Sequence, residues 1–133
     1  MATKKDWKID HSKNLAGTFA ADVSEGQVIK LTAERTFAVA GAGEIPAGVA
    51  FRDVDISEDG AKGEIMRSHI AVIPCAAAIT DITLPVKVAA AGTCTPVTAD
   101  LDVVLGKPLN LQSTVGGDVA VDLTLMGSFY GSA

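Results

Sequence analysis

Aromatic side chains are scarce in this chain: one Trp, one Tyr and four Phe among 133 residues. A face that binds single-stranded nucleic acid by stacking needs several such platforms, so the scarcity argues against that class. Positive charge is short as well. Eleven Lys and Arg stand against sixteen Asp and Glu, for a formal net charge of −5, whereas nucleic-acid binding relies on neutralising phosphates. No apolar run approaches the roughly 20 residues of a membrane-spanning helix. The N-terminus reads Met1-Ala2-Thr3-Lys4-Lys5-Asp6-Trp7-Lys8 and stays polar, with no signal-peptide segment behind the lysines. These absences predict a protein made in the cytoplasm and used without secretion, with neither nucleic acid nor membrane as a partner.

The groups that carry chemistry are equally few. Cys75 and Cys94 are the only cysteines; their separation fits no zinc pattern, and in a cytosolic product they are expected to be reduced and packed as small hydrophobes. His11 and His69 are the only imidazoles, and no G-x-S-x-G or comparable nucleophile signature accompanies them. His69 falls inside a predicted strand. The run Gly41-Ala42-Gly43-Glu44-Ile45-Pro46 puts Pro46 where a dinucleotide fingerprint needs its third glycine, so it reads as loop. Asp55, Ser57, Asp59 and Gly60 form D-x-S-x-D-G, the first half of a calcium loop. Its twelfth position, however, is Met66 instead of a bidentate Glu, and Glu64 falls two residues short. A polar β-turn reversing at Asp59-Gly60 is the expectation, and whether Asp55–Gly60 holds any ion is left open. Asp53/Asp55 and Glu58/Asp59 read as solvated faces. No catalytic residue, metal ligand or cofactor is expected, and the chain does not read as an enzyme.

What is present is alternation. Val119, Val121, Leu123 and Leu125 alternate with Ala120, Asp122 and Thr124, and Leu109 and Leu111 flank Asn110 in the same rhythm. Successive strand side chains point to opposite faces, so this pattern places one face on a core. Between the two runs lies Ser113-Thr114-Val115-Gly116-Gly117-Asp118, whose glycines suit a reversal. The reading is a closing hairpin. Upstream, strands are predicted at Gln27–Thr32, Thr36–Val39, Val49–Phe51, Glu64–Ile73 (bulged near Ser68) and Val86–Val88. Ala76–Leu84 reads as a short helix or turn, and Gly92–Thr98 as a turn-rich crossing. About eight short strands divided by Gly, Pro and Asp turns predict an all-β domain, a small β-barrel or sandwich, over residues 26–133. Residues 1–25 hold Trp7, Ile9, Leu15, Phe19 and Val23 without a sustained period, and read as an extended N-terminal arm. The first thirteen residues carry four lysines against two aspartates.

Gly26-Gln27-Val28-Ile29-Lys30-Leu31, Pro46-Ala47-Gly48-Val49-Ala50 and Gly63-Glu64-Ile65-Met66 follow one another in a recognisable order. Val104-Leu105-Gly106-Lys107-Pro108-Leu109 and Gly116-Gly117-Asp118-Val119-Ala120-Val121-Asp122-Leu123 complete it. Together they resemble the small capsid decoration, or cement, proteins of tailed bacteriophages. That family shows a "G-D-V-V" strand start, an "aGva" turn, a "Ge-v-v" strand and a late "vlG-al … Gg-v-v-v-l" hairpin. The resemblance spans about Gly26 to Leu125. Gln27 replaces the family's acidic residue, and Pro108 takes its small-residue slot.

The resemblance implies a β-tulip or β-barrel body, commonly a homotrimer, that binds the outside of the expanded head and braces it. The implied partner is the major capsid protein, and the implied location is the outer capsid surface of the virion. It also implies an N-terminal segment that reaches the capsid. Trp7 and Ile9 with Lys4, Lys5, Lys8 and Lys13 are the candidate contact residues. The alternatives are another phage structural part, such as a head-fibre base or tail-tube subunit, and a small β-barrel binding module.

Overall fold

The computed structural model describes residues 14–131, and its ten strands bear out the all-β expectation. Five of them close into a barrel: β1 (Asn14–Phe19), β2 (Val28–Ala33), β3 (Thr36–Val39), β4 (Gly48–Val49) and β5 (Lys62–Met66), in the order β1-β3-β2-β4-β5. All neighbours are antiparallel except β1 and β3, which run parallel over Thr18↔Thr36 and Phe19↔Phe37. Leu15, Phe19, Val23, Ile29, Phe37, Ala50, Val54 and Ile65 fill its interior. The rings of Phe19 and Phe37 meet edge to face at 5.3 Å and 60°, a geometry worth about 0.5–1.5 kcal/mol beyond burial.

The remaining strands are β6 (Ile70–Pro74), β7 (Val86–Ala89), β8 (Thr93–Pro96), β9 (Lys107–Pro108) and β10 (Asp118–Asp122). They form a sheet β6-β10-β9 and a hairpin β7-β8. Two isolated bridges join these pieces on both sides. Val86 pairs with Gly106, the residue before β9, and Cys75, the residue after β6, pairs with Cys94 in β8. The hydrogen bonds Val86 N to Gly106 O (2.9 Å), Leu105 N to Val86 O (2.8 Å) and Ala76 N to Cys94 O (2.7 Å) fasten the seams. The five strands therefore run round a second ring. Ala71, Ile73, Val86, Val88, Cys94, Leu105, Val119, Val121 and Leu123 pack inside it.

The two cores share a wall. In β2, Ile29 faces the first barrel while its neighbour Val28 belongs to the second core, and both are fully buried. Val49 and Ala50 divide in the same way. A strand buried on both faces reads as a continuous apolar pair, and Val28-Ile29 is one.

Several elements differ from the sequence expectation. Residues 14–25, read there as the end of an arm, are built into the barrel: β1 pairs with β5 from Asn14↔Met66 to Thr18↔Lys62, and Val23 bridges Val54. The inward positions of β1 are Leu15, Gly17 and Phe19, so a glycine in the middle hides the alternation. The predicted strand Glu64–Ile73 is two strands in two sheets, broken at Arg67–His69, where His69 takes a φ of 74°. Part of the predicted turn crossing is strand β8. The closing hairpin is narrower than its pattern: only Lys107 and Pro108 pair with β10, Leu123–Leu125 is a 3-10 turn, and Leu109, Leu111 and Leu125 are exposed. Pro108 ends β9, and the next bond to β10 is made by Leu109 N, which donates to Ala120 O at 2.8 Å.

Candidate functional site

The D-x-S-x-D-G motif folds as a single helical turn, α1 (Ile56–Asp59), in place of the expected β-turn. Asp55 caps it. Its Oδ1 accepts from Ser57 N at 3.0 Å and from Ser57 Oγ at 2.7 Å, while Asp59 Oδ2 accepts from Asp55 N at 3.0 Å. The carboxylates are thus turned onto their own backbone. The serine hydrogen bonds hold the Asp55 carboxyl below its ordinary pKa. The same device recurs at Asp81-Ile82-Thr83 and Asp122-Leu123-Thr124, with the backbone bond at 2.8 and 2.9 Å and the hydroxyl bond at 2.6 Å in both. Asp-Ile/Leu-Ser/Thr is a turn signal, and the third copy ends β10 before the alternation in the sequence does. Among the described residues no three His, Cys, Asp or Glu side chains are arranged to hold a metal.

The other sequence candidates are also placed. His69 is exposed at the break between β5 and β6, a site selected by backbone conformation. Cys75 and Cys94 are buried as expected, but they are direct neighbours across a bridge, which nothing in their sequence separation signals. Glu44 closes the Gly41–Pro46 loop. It accepts from Gly41 N and from Lys30 Nζ, each at 2.7 Å, and the lysine bond is the main reason its pKa is lowered. Asp102 organises the loop after β8, accepting from Thr98 N (2.9 Å), Ala99 N (3.0 Å) and Lys87 Nζ (3.1 Å). Those donors, the two amides first, bring its pKa down to about 2.

The remaining surface is suited to contact. A cleft of about 530 Å³ lies between the two rings, lined by Phe51, Met66, Ile70, Val72 and Pro74 together with Glu25 and Asp118. Ile70 and Val72 lie on the outer face of β6 and are 55% and 53% exposed. Ile45, Leu101, Leu111, Val115, Leu125 and Phe129 are exposed to a similar degree, so apolar surface is spread over both rings. Single exposed apolar residues are ordinary; a neighbouring pair beside a cleft suits docking. The contact residues proposed from the sequence, Lys4, Lys5, Trp7, Lys8, Ile9 and Lys13, lie outside the described residues.

No family model matches the sequence, and no curated protein matches it. The fold is similar to a solved one: the N base of the head fiber gp8.5 of bacteriophage phi29, with a TM-score of 0.65 at 17% identity. The alignment covers 86% of this chain and 95% of that one. At that identity the likeness is one of fold, and it includes both rings in a single alignment.

Proposed function

We propose that this chain is a structural virion protein that binds the outer surface of a tailed-phage head and braces the capsid lattice. The likeness to a head-fiber base over nearly the whole of both chains supports a structural virion part. The observation that carries the bracing role is the decoration-protein motif order from Gly26 to Leu125. The architecture suits the task. Two small cores sharing the Val28-Ile29 wall make a stiff body, and stiffness lowers the ordering cost of a docking surface. In the proposal the body is a homotrimer bound to the major capsid protein, with Trp7, Ile9 and the lysines of the first thirteen residues among the contacts. Several modest contacts in one oligomer then act through effective concentration. No catalytic step is part of the role.

A head-fiber base is the second reading, favoured by the solved neighbour, which is itself the base of a head fiber. The two separate on capsid mechanics. Heads lacking the protein are incubated with it and then heated or osmotically shocked while DNA release is followed. A brace raises the release temperature in proportion to occupancy, whereas a fiber base binds and leaves it unchanged.

A further inference from the structure

The seam that closes the second ring is made by the chain's only two cysteines. Cys75 follows β6 directly, Cys94 lies in β8, and Ala76 N donates to Cys94 O at 2.7 Å across the bridge. Bridged residues on adjacent strands lie about 4.8 Å apart, inside the window of about 4.4–6.8 Å between Cα atoms that a disulfide accepts. Bridge partners also project from the same face. Here that face is the interior, and both cysteines belong to the same core at 1% and 0% exposure. Neither sulfur has a strong partner: Cys75 Sγ donates to Thr114 O at 3.3 Å, and Cys94 Sγ lies 4.0 Å from Ile73 O.

We propose that Cys75 and Cys94 are a disulfide site, closed by a small-molecule disulfide such as oxidised glutathione, and that the link locks β6 to β8. Cys75 reacts first. Above it lies the exposed turn 113–116, held by Gly116 N to Cys75 O and Cys75 N to Gly117 O, and local opening of a turn is easier than opening a core. Its thiolate attacks one glutathione sulfur, forming a mixed disulfide and expelling one glutathione thiolate, which takes up the proton that Cys75 lost. Cys94 then gives its proton to solvent and attacks Cys75 Sγ, expelling the second glutathione. Two protein thiols are oxidised and one small disulfide is reduced to two thiols. Burial, with Cys75 beside it, pushes the Cys94 thiol up to about 12, so the second step is slow. A reducing cytosol keeps the pair as thiols; an oxidising medium outside the cell closes it. This inference rests on the seam and not on the head-binding reading.

The test equilibrates the full chain in glutathione buffers from fully reduced to fully oxidised, including one cycle of unfolding and refolding. Acid quenching, alkylation and intact mass follow, and each form is then melted. The expected product is a monomer about 2 Da lighter that takes no alkylating agent. It melts about 10 °C above the reduced form and reverts with dithiothreitol. Cys75→Ala and Cys94→Ala each abolish that shift. Two alkylatable thiols after full oxidation, a glutathione adduct or cross-linked dimer as the end product, or a disulfide form melting below the reduced one would each overturn the proposal.

Discussion

Gly17 on β1 and Gly63 on β5 stand directly opposite each other in the ladder, and the rings of Phe37 and Phe19 occupy the space their side chains would fill. A Cβ at Gly17 would lie 2.6 Å from Phe37 Cζ, and one at Gly63 2.8 Å from Phe19 Cε2. A five-stranded barrel has little interior. Two inward glycines make room for two rings to meet edge to face, and the rings in turn cover the bare backbone.

Gly63→Ala is therefore expected to cost about 1–3 kcal/mol by overpacking. At Gly63 the only contact below 3.5 Å is the Phe19 ring, so Phe19→Leu recovers part of the loss and the double-mutant cycle is non-additive. At Gly17 the Arg35 carbonyl oxygen is also 2.6 Å away. Backbone does not yield to a smaller ring, so Phe37→Leu leaves Gly17→Ala unrescued. Urea unfolding of the six variants decides both statements.

Acid is expected to weaken the fold. Asp102 has a folded pKa of about 2 against an ordinary 3.8, and Asp55, Asp81 and Asp122 are shifted down by their Ser or Thr partners. A depressed carboxylate contributes stability above its unfolded pKa and loses it as pH falls through the folded one. The melting midpoint should hold down to about pH 4 and then fall toward pH 2. Asp102→Asn should melt lower than wild type at neutral pH and show a shallower acid limb.

His69 is tested through its backbone. At a φ of 74° a β-branched side chain is strained, so His69→Val should cost about 1–2 kcal/mol. His69→Gly should be nearly neutral, because relief of strain offsets the glycine's extra unfolded entropy. Equal losses in both variants, measured by chemical denaturation, would instead assign the imidazole a contact role.

Deleting residues 1–13 removes every proposed contact residue and leaves β1 starting at Asn14. The truncated chain should still unfold cooperatively, while its binding to expanded heads drops at least tenfold. Unchanged binding would move the contact surface to the body, with Ile70 and Val72 beside the cleft as the next residues to change.

The strands that were legible in the sequence are short runs rich in β-branched and aromatic residues. Thr36–Val39 is β3 to the residue, and Val28–Ala33 and Val86–Ala89 each shift the predicted strand by a residue at most. The misses have local causes. Gly17 breaks the pattern of β1, and the left-handed His69 splits one predicted strand between two sheets. In the closing hairpin, side-chain amides substitute for the ladder: Asn110 Oδ1 accepts from Ala120 N at 2.8 Å, and Gln112 Nε2 donates to Asp118 O at 3.0 Å. The Leu109-Asn110-Leu111 alternation therefore shapes a loop. The pairing of Cys75 with Cys94 depends on ring closure between distant elements, which no local pattern encodes.

Under the proposed function, co-sedimentation with purified tailed-phage heads, counting copies bound per head, tests head binding most directly. The account predicts saturable binding to expanded, undecorated heads at a ratio compatible with icosahedral symmetry, and none to unexpanded proheads. No binding to expanded heads at micromolar protein would contradict it.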